Sequence, residues 1–231
     1  MSFNYSPRII TDGLVLYLDA ANKKSYPGSG TAWNDLTRNG NNGTLTNGPT
    51  FNSSNLGSIV FDGTNDYVSV SDNATLNNLN GSISIWFNNN GTYGVSGSGT
   101  SEIIGKHTAG GSFNGYGINI TNTNVFAYVK NTSTNYFTFT GGNIVNNKWY
   151  NATITYTNNG NLLLYNNGIL VGNRALGTLT TNSDPLRIGY ANDPYWEPFN
   201  GNISLSMVYN RVLTNDEIIQ NYNALKGRFD L

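Results

Sequence analysis

Apolar and polar residues alternate at period two through much of this chain, and that periodicity decides what it can fold into. Ile83, Ile85 and Phe87 interleave with Ser82, Ser84 and Trp86, while Ala152, Ile154 and Tyr156 interleave with Thr153, Thr155 and Thr157. Successive side chains of a strand point to opposite faces, so the pattern predicts half-buried antiparallel strands. Phe137 and Phe139 between Thr138 and Thr140 repeat it, as do Ile203, Leu205, Met207 and Tyr209 spaced by Ser204, Ser206 and Val208. Such a chain is all-β, a sandwich or a barrel.

Turn chemistry punctuates these runs. Asn tolerates positive φ and Gly has no Cβ to clash, so Asn167-Gly168 predicts a tight hairpin between Leu162–Tyr165 and Ile169–Val171. Asn-Gly at 80, 90, 114, 159 and 200 marks further strand edges. The stretch from Asn88 to Ser101 is Asn, Gly and Ser with few apolar side chains, which predicts a mobile loop. Near the C-terminus the periodicity changes. Thr214 and Glu217 have capping-box spacing, Ile218, Tyr222 and Leu225 share one helical face, and Gly227 is placed to stop the helix in a left-handed conformation. A lone amphipathic helix of this kind packs its apolar stripe on the outside or end of a sheet.

Of the 231 residues only 11% are charged, against roughly 25% in ordinary domains. Twelve Lys and Arg balance 13 Asp and Glu, leaving no basic stripe for phosphates, so nucleic acid is not an expected partner. With no Cys there is no disulfide and no thiolate metal site, and with one His a zinc centre is excluded. No run of about 18 apolar residues occurs, so membrane insertion is not expected. The N-terminus lacks a charged segment followed by an apolar one, so the chain is expected to start life soluble in the cytosol. Its length suits a single all-β domain, residues 12–231, preceded by an arm at residues 1–11.

Several motifs occur in fixed order. They are Gly13-Leu-Val-Leu-Tyr-Leu-Asp, Trp33-Asn-Asp-Leu, Asn41-Asn-Gly-Thr-Leu, Val60-Phe-Asp-Gly-Thr-Asn-Asp-Tyr-Val, and Gly201-Asn-Ile-Ser-Leu through Tyr209-Asn-Arg-Val-Leu-Thr-Asn-Asp-Glu-Ile. Together, from about Thr11 to Phe229, they resemble the laminin-G-like, concanavalin A-like jelly-roll family. The resemblance implies two curved antiparallel sheets packed face to face, with ligands at one rim or on the concave face. The opening Met-Ser-Phe-Asn-Tyr-Ser-Pro-Arg and the abundance of Asn resemble versions found in structural proteins of tailed bacteriophages.

Candidate chemistry is sparse. Glycoside hydrolysis needs two carboxylates about 5 to 9 Å apart. Glu102, Glu197 and Glu217 are far apart in sequence with no acidic partner at strand spacing, and no Gly-X-Ser-X-Gly elbow accompanies His107. His107 is expected at a strand end or in a loop, pointing to water. No catalytic residue is assigned.

The resemblance also implies a calcium at a sheet rim. Asp62, Asn65 and Asp66 lie in one expected turn, with Asp35 or Asp19 as partners if brought alongside. The same turn residues can instead bond their own backbone without any metal. Sugar recognition needs an aromatic face with amides and hydroxyls beside it. Tyr190, Asn192, Asp193, Tyr195 and Trp196 supply both in one segment, although its aromatics can equally pack down as a lid. Trp33, Trp86 and Trp149 sit in or beside apolar runs and are expected in the core.

These readings converge on a non-enzymatic virion subunit (decoration, fibre or adhesin-like), assembled in many copies with other virion proteins, released by lysis, and offering a surface to cell-surface or environmental glycans. The alternative is a secreted, extracellular bacterial carbohydrate-binding module or glycosidase fragment.

Overall fold

In a computed structural model, the described residues are 7–91, 99–107, 114–130, 136–191 and 196–231, with backbone alone over 136–140. The described strands are β1 (Leu14–Asp19), β2 (Ala32–Trp33), β3 (Gly43–Thr46), β4 (Thr50–Asn52), β5 (Ser58–Asp62), β6 (Tyr67–Val70), β7 (Asn80–Asn89), β8 (Ser101–His107), β9 (Gly115–Ile120), β10 (Asn124–Lys130), β11 (Tyr136–Asn143), β12 (Trp149–Thr157), β13 (Asn161–Asn166), β14 (Ile169–Ala175), β15 (Leu186–Ile188) and β16 (Asn200–Tyr209). They form two antiparallel sheets, a jelly-roll sandwich with one C-terminal helix, α1 (Asn215–Leu225). The first sheet has the order β14-β13-β12-β7-β16-β5-β4, with β1 against the other end of β16. The second has the order β11-β10-β9-β8-β15-β6-β3-β2.

Ile59, Phe61, Ile83, Ile85, Ile118 and Ile154 are among the side chains that fill the space between the sheets. The expected hairpin forms, with Asn167 at φ 51° and Gly168 at φ 76°, both positive as a tight type I′ turn demands. The strands of the first sheet are not half-buried as the alternation predicts. Ser84 and Thr155 are each only 2% exposed, because α1 and the C-terminal segment roof the outer face. Asn151 Nδ2 and Thr153 Oγ1 both donate to Ser84 Oγ at 2.9 Å, so these polar side chains pair with one another under that roof.

A register shift between Ile203 and Leu205 also alters the expected phase of β16. Ile203 and Val208 face the inter-sheet core, whereas Leu205, Met207 and Tyr209 turn outward to join Trp86, Ile218 and Phe229 under the helix. The bulge inserts one residue, so side chains before and after it swap faces.

The capping box at Thr214 and Glu217 forms as the spacing predicts. The helix does not stop at a left-handed Gly227. It runs on into a 3-10 turn, Lys226–Phe229, and the left-handed residue is Asp230 at φ 58°. Two anchors extend it. Phe229 stacks on Trp86 with ring centroids 4.4 Å apart, and the Arg228 guanidinium donates to Asp19 Oδ1 at 2.7 Å and to the Gly57 carbonyl at 2.7 Å. Trp33 and Trp86 are fully buried, while Trp149 is half-buried and packs on Phe229 at 4.7 Å.

The expected loop from Asn88 to Ser101 is shorter at both ends, since Asn88 and Asn89 belong to β7 and Ser101 to β8; residues 92–98 lie outside the described residues. The described part of the arm docks on α1. Ile10 N–H donates to Asn221 Oδ1 at 2.7 Å, and Gln220 Nε2 donates to the Arg8 carbonyl at 2.8 Å. No helix among the described residues is long and apolar enough to cross a membrane.

Candidate functional site

The outer face of the second sheet carries a different set of side chains. On β9 and β10, Ile118, Ile120, Val125, Ala127 and Val129 face the core, so Gly117, Asn119, Phe126 and Tyr128 face outward. A register shift between Glu102 and Ile104 brings Glu102 onto the same outward face as Gly105 and His107. Cross-strand pairing then sets Phe126, Asn119 and Glu102 in one row, and Tyr128, Gly117, Gly105 and Arg187 in the next.

The two glycines in that second row create the space for Tyr128. Its phenol lies across both, and a Cβ at either Gly105 or Gly117 would collide with the hydroxyl. From there the Tyr128 O–H donates to Glu102 Oε2 at 2.5 Å, and His107 Nε2 lies 3.0 Å from the same oxygen. Glu102 is 1% exposed, His107 2%, Tyr128 0% and Asn119 0%. A buried carboxylate is tolerable only when paired and hydrogen-bonded; the phenol supplies the hydrogen bond at Oε2, and the imidazole stands at ion-pair distance from it. The remaining capacity is not used. Glu102 Oε1 and both polar atoms of Asn119 are buried with no hydrogen-bond partner among the described residues. Each such atom costs about 1–3 kcal/mol unless water or a ligand meets it.

Trp196 closes one side of this cluster. Its ring centroid lies 4.9 Å from that of Tyr128 and 5.2 Å from that of His107, yet it remains half-buried rather than enclosed. The neighbouring Glu197 fixes its backbone, since Glu197 pairs with Ser101 in an isolated bridge and donates its N–H to the Thr100 carbonyl at 2.8 Å. Glu102 and Glu197, distant in sequence, thus sit on adjacent stretches of chain. The arrangement can present a rigid aromatic surface next to buried donors and acceptors.

A family model described as the concanavalin A-like lectin/glucanases superfamily matches residues 62–219. The chain belongs to this superfamily. No curated protein sequence matches it. Among solved structures it is similar to the ligand-binding domain of botulinum neurotoxin serotype D in complex with N-acetylneuraminic acid, at TM-score 0.72 and 18% identity over 92% of this chain and 51% of that one. It is also similar to domain 4 of an extracellular arabinanase from Geobacillus stearothermophilus in complex with arabinotriose, at TM-score 0.65 and 16% identity over 90% and 98%. A third similar structure is the Trypanosoma rangeli sialidase in complex with an inhibitor, at TM-score 0.67 and 15% identity over 95% of this chain and 35% of that one. The chain spans about half the length of the toxin binding domains it matches.

Within this concanavalin A-like sandwich, Trp196 is, among the described residues, the expected ligand residue that reaches the buried cluster. Tyr190 is half-buried just beyond β15, and Asn192, Asp193 and Tyr195 lie outside the described residues. His107 does end a strand, but it does not point to water: it is buried on the outward face against Glu102, which the bulge brings to that face. Sequence reasoning missed Glu102, Asn119, Tyr128 and Arg187 as a group. A usable signal was the run Gly115-Tyr-Gly117-Ile-Asn119, whose outward positions are only glycine and amide.

The expected metal ligands do not assemble. Asp35 Oδ1 accepts from Tyr17 N–H and Thr37 N–H, and its Oδ2 accepts from Thr37 Oγ1 and Asn41 N–H. Asp19 is held by the Arg228 guanidinium, a cation already in place. Asp62 Oδ1 accepts from Thr64 N–H at 2.8 Å, Asp66 Oδ2 accepts from Asp62 N–H at 3.1 Å, and the Asn65 carbonyl accepts from Asn47 Nδ2 at 2.9 Å. Among the described residues no three His, Asp or Glu side chains converge as a metal requires. The turn reading accounts for these bonds, and Asp66 Oδ1 is the oxygen of the turn left buried without a partner.

Proposed function

We propose that this domain is a non-catalytic glycan-binding module whose sugar site is the outer face of the second sheet beside Trp196. The observation that carries the reading is the half-exposed Trp196 ring, seated on Tyr128 and His107 over the buried Glu102. Pyranoses and furanoses stack their C–H faces on such rings, and nearby amides and carboxylates read their hydroxyls. Similar structures in complex with N-acetylneuraminic acid and arabinotriose support the same chemistry.

Binding to an immobilised panel of oligosaccharides tests this. Trp196→Ala is expected to weaken every bound glycan at least about tenfold, with no sugar released by hydrolysis in either protein. Unchanged binding by Trp196→Ala, or turnover of a bound glycan, sinks the proposal.

The finer part of the proposal is that the module is a virion subunit displayed in many copies, as the motifs at its N-terminus suggest. Met1–Pro7 can be removed without touching the bonds of Arg8 and Ile10 to α1. The truncated chain is therefore expected to fold normally but to be lost from particles. Normal incorporation would place attachment on another surface.

A further inference from the structure

Arg187 stands on β15 directly across from Gly105, beside the row that holds Tyr128. Its guanidinium carbon rests 4.8 Å from the centroid of the Tyr67 ring, a cation–π seat that fixes the stem. Its Nε is buried with no hydrogen-bond partner, and among the described residues no carboxylate pairs with it. The other arginines with partly or largely buried side chains behave differently: Arg211 is forked onto Glu217 and Arg228 is paired with Asp19. A pinned guanidinium with a desolvated N–H and no counterion is a costly arrangement, and here it borders the proposed sugar site across a residue that has no side chain.

We propose that the site takes an acidic sugar, a uronic or sialic acid residue, whose carboxylate is received by Arg187 while its ring lies toward Trp196. This rests on the glycan-binding reading above and narrows it to a substrate class. A planar guanidinium fork matches a carboxylate in bidentate fashion, so the recognition is geometric as well as electrostatic. The cation–π contact with Tyr67 holds the fork in place without neutralising it. Gly105 must stay bare because the Tyr128 hydroxyl and the Glu102 carboxylate lie over it, so the cluster comes up to the strand that carries Arg187.

The test is titration of the full chain with trigalacturonate and its methyl ester, and with sialyllactose and lactose, in low and high salt. At least one acidic probe is expected to bind tenfold or more tightly than its neutral counterpart, with the difference shrinking in high salt. Arg187→Gln is expected to abolish that preference while leaving residual binding of the neutral probe and the melting temperature nearly unchanged. Tyr67→Leu, which keeps the guanidinium but frees it, is expected to give a smaller loss of the same preference and guards against a folding defect in Arg187→Gln. Equal affinity for acidic and neutral probes, preference for dextran sulfate over both carboxylates, or an unaltered preference in Arg187→Gln overturns the acidic-sugar inference but not the glycan-binding reading. Absence of binding to all probes and to the wider panel overturns both.

Discussion

The two outer faces of this sandwich have been put to opposite uses. On the first sheet, α1 and the segment after it cover Trp86, Leu205, Met207 and Tyr209, and nearby polar groups find partners: Asn151 and Thr153 on Ser84, Asn221 on Tyr209, Arg228 on Asp19. On the second sheet Trp196, the described ring beside the cluster, is only half-buried, and Glu102 Oε1, the Asn119 amide and Arg187 Nε are left unmet. The first face is not fully satisfied either, since Trp86 Nε1 and Asn88 Oδ1 are buried without a partner, but among the described residues no ionisable group is left unmet there. A face that retains unmet buried ionisable groups gives up stability that a ligand can restore.

Breaking the helix-covered face has the largest expected effect. Phe229→Ala removes the ring stacked on Trp86 and packed on Trp149, and is expected to cost about 3–5 kcal/mol in denaturant unfolding with glycan binding unchanged. Trp196→Ala should show the reverse signature, about 1 kcal/mol or less of stability with binding lost. If both variants lose stability equally and keep binding, the two faces do not differ in the way described.

Arg228→Ala comes next. It strips the guanidinium from Asp19, Gly57 and Ser204, and leaves a largely buried carboxylate unpaired. A loss of roughly 3 kcal/mol is expected in chemical denaturation, again without change in sugar affinity.

A smaller effect belongs to Glu217. The Arg211 fork, together with the backbone N–H of Thr214, holds its carboxyl down at about 2. A carboxyl lowered in the folded state contributes stability that is complete above its unfolded pKa and is lost as pH falls through the interval down to about 2. Glu217→Gln should therefore lower the melting temperature modestly at pH 7 and flatten its decline between roughly pH 4.5 and 2. Identical pH profiles for the two proteins would show that the helix cap carries no such linkage.

The smallest expected change is at Asp66, where burial, with the Asp62 carboxylate nearby, pushes the carboxyl above its usual range. Such a group destabilises the fold as it ionises, so Asp66→Asn is expected to leave the melting temperature equal or slightly raised at neutral pH, and chelator to leave it unchanged. A fall in Asp66→Asn, mirrored by a fall in chelator, would instead put a cation on that turn.

Much of the fold was legible because its signals are local. Period-two alternation placed β7, β12 and β16, Asn167-Gly168 placed a hairpin, and Thr214 with Glu217 placed the start of α1, since each depends on residues within a few positions of one another. The calcium and sugar candidates were chosen by the same local proximity, and that is why most of them scatter. Which carboxylates are already occupied depends on partners as distant as Arg228 from Asp19.

By itself, then, the sequence determined an all-β sandwich with one capped helix and few charges. Only the tertiary structure decided which faces are covered and what lies beneath. Two strand bulges did most of this: the one in β16 sent Leu205, Met207 and Tyr209 under the helix, and the one in β8 brought Glu102 to the face that carries His107. A single inserted residue reverses the facing of every side chain beyond it, and its position follows from pairing with neighbouring strands rather than from the residues of the strand itself.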